Sequence, residues 1–288
     1  MYILLAVSIF LGVFKSAIYN QYAKSEKPNA KSIFRFNAVS YGTAAIVTLL
    51  FGIGKSLSAE TLICAAAYAA VVFSLQALSV AAMISGPMSL TSLFVLYGMI
   101  IPSLAGPIFW KEAFGIGQVL GMIIMLVSLK MLYEPGEGDI PANRKWSVMA
   151  AMCFLLSGAA GVIEKVHQTS YAKDERLMFL FCACVMMFLL SAVGNFVLKE
   201  KAETAVSKKA WLILGTASGL VVSLYSQTNL TLAGKLDSLI YYPVANGGAL
   251  LLTVLFAVLI FHERLSKRRL AGFVAGILAV VLLSIPIG

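Results

Sequence analysis

Ten apolar segments of about twenty residues each occupy nearly the whole of this 288-residue chain and leave only short connections between them. They fall at residues 2–22, 32–54, 60–84, 88–109, 115–133, 146–167, 177–198, 208–233, 238–261 and 267–286. A hydrocarbon layer roughly 30 Å thick needs about 20 apolar residues at about 1.5 Å of rise each, so each segment is long enough to span a bilayer. Backbone amides in lipid find no water, which leaves helices or a closed barrel. Barrel strands alternate apolar and polar residues, and these runs do not. The sequence predicts an all-α integral membrane protein of ten transmembrane helices. With 60% hydrophobic and 12% charged residues and a mean hydropathy of +0.91, the chain lacks the polar groups to cover itself in water. No length remains for a soluble catalytic domain.

The net charge of +9 does not point to nucleic acid, because the cations sit in short loops rather than on one helix face. Taken alternately, the loops hold 15 Lys and Arg on one side and 6 on the other. The positive-inside rule places the first set in the cytoplasm, and with ten spans both termini outside a plasma (inner) membrane. Met1 to Phe14 carries no Lys or Arg, so the first span is expected to be retained. Cys64, Cys153, Cys182 and Cys184 all lie inside apolar runs and read as small core residues.

The chain also repeats itself. Gly12 to Lys24 over Gly161 to Lys173 gives identities at Gly, Val, Tyr, Ala and Lys with an offset of 149. The same offset sets Ser74-Leu75 over Ser223-Leu224 and Ser89-Leu90 over Ser238-Leu239. At an offset of 151, Lys111-Glu112 with Gly121 overlies His262-Glu263 with Gly272. The domain reading is a first five-helix repeat at 1–133, a polar linker at 134–145 and a second repeat at 146–288. Five spans is an odd number, so the halves enter the membrane in opposite senses, an inverted repeat of the kind that supports alternating access.

Two five-helix halves, each ending in a Glu with a Gly nine residues later (Glu112 and Gly121, Glu263 and Gly272), resemble the EamA-like branch of the drug/metabolite transporter (DMT) superfamily. The resemblance covers essentially the whole chain and implies secondary transport without fixing the cargo. The stretch Ile240 to Leu265 is also similar to the third helix and following turn of the small multidrug resistance relatives. That similarity brings their substrate-contacting tyrosine onto Tyr242. Their membrane-embedded proton-binding glutamate has no counterpart on the first span, where Lys15 lies instead.

An ionisable group at bilayer depth costs several kcal/mol unless it faces a partner or a cavity, so each is a site hypothesis. Lys15 interrupts the first span and competes with a reading as a snorkelling lysine. Its repeat equivalent is Glu164, which also reads as a helix-end carboxylate, with Lys165 and His167 nearby. Glu164 and His167 are the candidates for proton coupling. Gln76 and Tyr225 occupy matched positions in the third and eighth spans, with Ser79 and Thr228 one turn on. Tyr19, Tyr97, Tyr242 and Asn246 add aromatic faces and an amide, so the predicted substrate-binding set is Lys15, Tyr19, Gln76, Tyr97, Glu164, Tyr225, Tyr242 and Asn246. Tyr241, Trp110 and Trp146 read as interfacial anchors. Gly117/Gly121, Gly215/Gly219 and Gly272/Gly276 read as helix-packing pairs, within the bundle or across a dimer. Pro243 with Gly247-Gly248 marks a place where the ninth span is able to bend.

No nucleophile with a base, no metal-binding constellation and no cofactor motif is present, so neither an enzyme nor a bound metal or cofactor is expected. The favoured reading is a carrier, monomeric or homodimeric, moving an amino acid-like, amine or nucleobase-like metabolite by alternating access. A proton-coupled multidrug or cation exporter is the nearest alternative. A lipid scramblase or membrane-embedded enzyme is the alternative from another class.

Overall fold

The computed structural model describes residues 1–26, 30–112, 115–133, 141–170, 172–198, 208–261 and 266–284. Among them the secondary structure is helical without strands: α1 (Tyr2–Glu26), α2 (Ala30–Gly52), α3 (Ala59–Ser85), α4 (Met88–Tyr97), α5 (Ile100–Trp110), α6 (Ile116–Leu132), α7 (Arg144–Thr169), α8 (Arg176–Val197), α9 (Lys208–Ala233), α10 (Ser238–Phe261) and α11 (Lys267–Ser284). Each apolar segment has become a helix, the fourth as the pair α4 and α5. The reason for that break is local. Pro102 has no N–H to offer the Gly98 carbonyl four residues back, and the Ile101 N–H takes it at 3.1 Å in a tighter turn. The Ser157 hydroxyl then donates to the neighbouring Val95 carbonyl at 2.8 Å. By contrast α10 is continuous through Pro243.

Among the described residues, seven spans are long and apolar enough to cross a membrane: α1, α2, α3, α4 with α5, α7, α8 and α10. Ten were expected, and α6, α9 and α11 are not among those seven. α6 is apolar but only 17 residues long. The chain is thus shown as an all-helical protein with several membrane-length helices.

Packing divides the chain into two compact units. The first joins residues 1–73 to 166–234 and the second joins 74–165 to 235–288. Each unit therefore takes helices from both sequence halves, α1 and α2 with α8 and α9 in the first, α4 to α6 with α10 and α11 in the second. In the first unit α2 packs along α8 and α9, and α1 along α9. Phe36, 1% exposed, sits between Tyr22, stacked at 4.2 Å, and the edge of Tyr19 at 5.1 Å. In the second unit α6 packs along α11, and α10 along α5, α6 and α11.

The Gly-x-x-x-Gly pairs serve these crossings inside each unit. A Cβ at Gly219 would run into the Ser40 carbonyl and Thr43 of α2. One at Gly121 would meet Ala279 and Leu283 of α11, and one at Gly272 the Ser128 carbonyl, Met131 and the backbone of Leu132 of α6. Backbones this close replace the hydrophobic effect with direct van der Waals contact and with bonds such as Ser128 Oγ to the Gly272 carbonyl, 2.7 Å. Two supposed interfacial anchors prove to be core residues. Trp146 is buried against Ala82, Phe94 and Ala150, with its indole N–H donating to Thr91 Oγ1 at 2.8 Å, and Tyr241 is 2% exposed. An aromatic at a helix end is satisfied equally by a headgroup or by a buried hydroxyl, and periodicity does not distinguish the two. The four cysteines are free, three of them buried and Cys64 half-buried.

Candidate functional site

A polar seam runs through the first unit where α1, α2 and α9 meet. α1 is 25 residues long, and Lys15 falls 13 residues after Tyr2 and 11 before Glu26, close to its midpoint. Ser8, Gly12, Lys15, Tyr19 and Tyr22 follow the three- and four-residue steps of one helix face. Ser8, Gly12 and Tyr22 on that face are buried, while Ile3, Val7, Phe10 and Phe14 on the other are exposed. Lys15 therefore points toward the packed side of α1, where it is half-buried. Its ammonium lies over the ring of Tyr225 in α9, 4.3 Å from the centroid. Lys15 lies inside the apolar span Tyr2–Tyr19 of α1, four residues before its end.

The groups on either side of Lys15 are neutral and bonded to one another. The Ser8 hydroxyl donates to Asn229 Oδ1 at 2.5 Å, and the Tyr19 hydroxyl donates to Asn37 Oδ1 at 3.1 Å. The Ser40 hydroxyl donates to Ser218 at 3.0 Å. Further along, the Gln227 amide donates to Ser223 at 3.0 Å, and Ser223 lies 3.0 Å from Thr48, whose own proton goes to the Ala44 carbonyl. Ser8, Asn37, Ser40, Thr48, Ser218 and Ser223 are each at most 3% exposed. Buried polar side chains in this number are tolerated because they are paired. Among the described residues no carboxylate pairs with Lys15.

The first unit has a second polar cluster where α7 ends. His167 is fully buried and stacks on Phe179 at 4.4 Å. The Gln168 amide nitrogen, 3.0 Å from Nδ1, makes that atom an acceptor, so Nε2 carries the proton toward Thr61 Oγ1 at 3.2 Å. Thr61 in turn donates to Glu175 at 2.6 Å, and Glu175 also accepts the Ser58 N–H at 2.8 Å and hydroxyl at 2.7 Å. The carboxylate thereby satisfies the first turn of α3. With both ring nitrogens engaged, His167 fastens the start of α3 to the end of α7.

The second unit is organised around an ion pair. Lys165 Nζ lies 2.5 Å from Glu112 Oε1, with the two side chains 6% and 9% exposed. Glu112 also accepts the Ser238 N–H at 2.6 Å and the Ser238 hydroxyl at 3.3 Å, so it caps the N-terminus of α10. Lys165 donates additionally to the Leu236 carbonyl at 3.1 Å. Glu112 reaches this position because Lys111 ends α5 in the left-handed region at φ 54°, the one non-glycine positive φ among the described residues. Nearby, the Tyr242 hydroxyl donates to the Gly161 carbonyl at 2.6 Å. Asn246 donates to the Tyr242 carbonyl at 2.9 Å.

Of the eight residues marked as substrate-binding from the sequence, Lys15, Tyr19 and Tyr225 come together in the first unit. Gln76, Tyr97, Glu164, Tyr242 and Asn246 belong to the second, where the Tyr97 hydroxyl donates to the Leu126 carbonyl at 2.8 Å. Asn37, Ser40, Ser218 and the Glu112–Lys165 pair were not marked as site residues. For Asn37, Ser40 and Ser218 the signal was a small polar side chain within an apolar helix, which the high overall hydropathy obscured. His262 and Glu263, the repeat counterparts of Lys111 and Glu112, lie outside the described residues.

The fold and these sites define an all-helical protein with membrane-length helices and polar groups paired along helix crossings. No protein-family model and no curated protein matches the chain. Among solved structures, one described only as a crystal structure of a protein superimposes with a TM-score of 0.77. The match covers 97% of this chain and 96% of that one at 14% identity, so the likeness is one of fold.

Proposed function

We propose that the chain is a secondary carrier of the EamA-like DMT type, moving a small polar or amphipathic metabolite across the plasma membrane by alternating access. The observation that carries this reading is Lys15. A cation inside the apolar span of a membrane-length helix, on its packed face and without a carboxylate partner among the described residues, is costly to a protein that only has to fold. The seam around it uses α1 and α2 from one sequence half and α9 from the other. A site shared between halves is what an inverted pair of five-helix repeats provides when the two rock against each other. The offset of 149 residues supports that relation, pairing α1 with α7 and α3 with α9. The excess of loop cations on one side supports cytoplasmic loops there and external termini.

Within this reading Tyr19 and Tyr225 shape the substrate pocket beside Lys15, and Tyr242 and Asn246 belong to the corresponding part of the second unit. Glu164 is the better candidate for proton coupling, since His167 has both ring nitrogens occupied. Counterflow into proteoliposomes tests the proposal. Vesicles preloaded with unlabelled solute are expected to concentrate the same labelled solute transiently for at least one member of a panel of amino acids, amines and nucleobases. Protein-free vesicles should show no such overshoot. An enzyme or a scramblase would produce none with any member of the panel.

A further inference from the structure

We infer that Lys15 anchors the carboxylate of a monoanionic organic solute, an inference that rests on the carrier reading and names its substrate class. Charge balance around Lys15 points to an anionic ligand. The seam contains hydroxyls and amides bonded in neutral pairs, Ser8 with Asn229, Tyr19 with Asn37 and Ser40 with Ser218, and none supplies a negative charge to Lys15. Lys165, buried near the end of α7, is treated differently, because it is neutralised by Glu112. The face of Tyr225 attracts the ammonium through its ring quadrupole, but a ring does not cancel a charge. An ammonium has three N–H donors and no acceptor, so its natural complement is an oxygen anion.

One positive charge selects one negative charge. A bound carboxylate leaves the site neutral while the carrier changes shape, whereas a dianion such as succinate carries an unbalanced charge through the same low-dielectric path. An amine is repelled. Tyr225 also presents an aromatic wall against which the rest of a flat or branched solute packs.

The test compares acids with their own uncharged derivatives. Purified full-length protein is heated with millimolar 4-methylpentanoate, phenyllactate or 3-phenylpropionate, with the amide of each, with phenethylamine, and with succinate. At least one monocarboxylate is expected to raise the melting temperature, and its amide, the amine and the dianion are not. Lys15→Gln should abolish the shift and Lys15→Arg should retain it. The inference is overturned if no acid in the panel shifts the wild-type protein, if an amide does so as well as its acid, or if Lys15→Gln keeps the shift. Uptake of the same compounds into proteoliposomes separates this inference from the carrier reading. Lys15-dependent binding with no uptake leaves the carboxylate site and removes the carrier. Uptake of phenethylamine or an amide that survives Lys15→Gln leaves the carrier and removes the carboxylate site.

Discussion

Lys15→Ala is expected to lower proteoliposome uptake by about 30-fold or more while raising the melting temperature of the protein. The first effect follows from deleting one partner of a desolvated charge contact, which costs about 2–5 kcal/mol of binding, each 1.4 kcal/mol being about tenfold. The second follows from the cost of an intramembrane cation, at most about 2.5–3.5 kcal/mol, the value on insertion scales for a helix centre. The Tyr225 ring offsets only part of that, about 0.5–2 kcal/mol. A lysine kept to hold α1 against α9 would give the opposite pair of results, lower stability with uptake unchanged. Measuring both quantities on one variant therefore distinguishes a site residue from a structural one.

Glu112→Gln is expected to destabilise the protein by about 3–5 kcal/mol, the usual consequence of leaving one member of a buried ion pair uncompensated. The amide oxygen still accepts the Ser238 N–H, so the loss reports the charge on Lys165 rather than the cap on α10. Adding Lys165→Met to Glu112→Gln removes the stranded cation and should recover most of the loss. Denaturant unfolding in detergent measures all three proteins. A double variant no more stable than Glu112→Gln would show that the pair serves chiefly through its bonds to Ser238 and Leu236.

These two lysines also show how far the sequence was legible. Helix positions followed from apolar length alone, and Lys15 stood out because nothing else charged interrupts the first span. Lys165 lay close to a helix end, where a cation is ordinary, and its partner Glu112 is 53 residues away in a turn whose left-handed Lys111 no propensity announces. Contacts of that separation depend on which helices pack, and the packing here follows neither sequence half. α2 against α8 and α6 against α11 each bring together matching helices of the two proposed repeats. The seam residues Asn37, Ser40 and Ser218 are small and uncharged, so they barely alter hydropathy and emerge only when α2 and α9 are set side by side. Trp146 and Tyr241 were misread for the related reason that burial at a helix end depends on neighbours distant in sequence.

The most direct measurement is the accessibility of position 15 from each face of the membrane. In a variant with Cys64, Cys153, Cys182 and Cys184 replaced by alanine and Lys15→Cys introduced, a membrane-impermeant thiol reagent is applied to one side at a time in oriented vesicles. A carrier that exposes this position alternately predicts labelling from both faces. A thiol protected from both faces, at a rate no greater than that of the cysteine-free parent, would contradict a substrate site at Lys15.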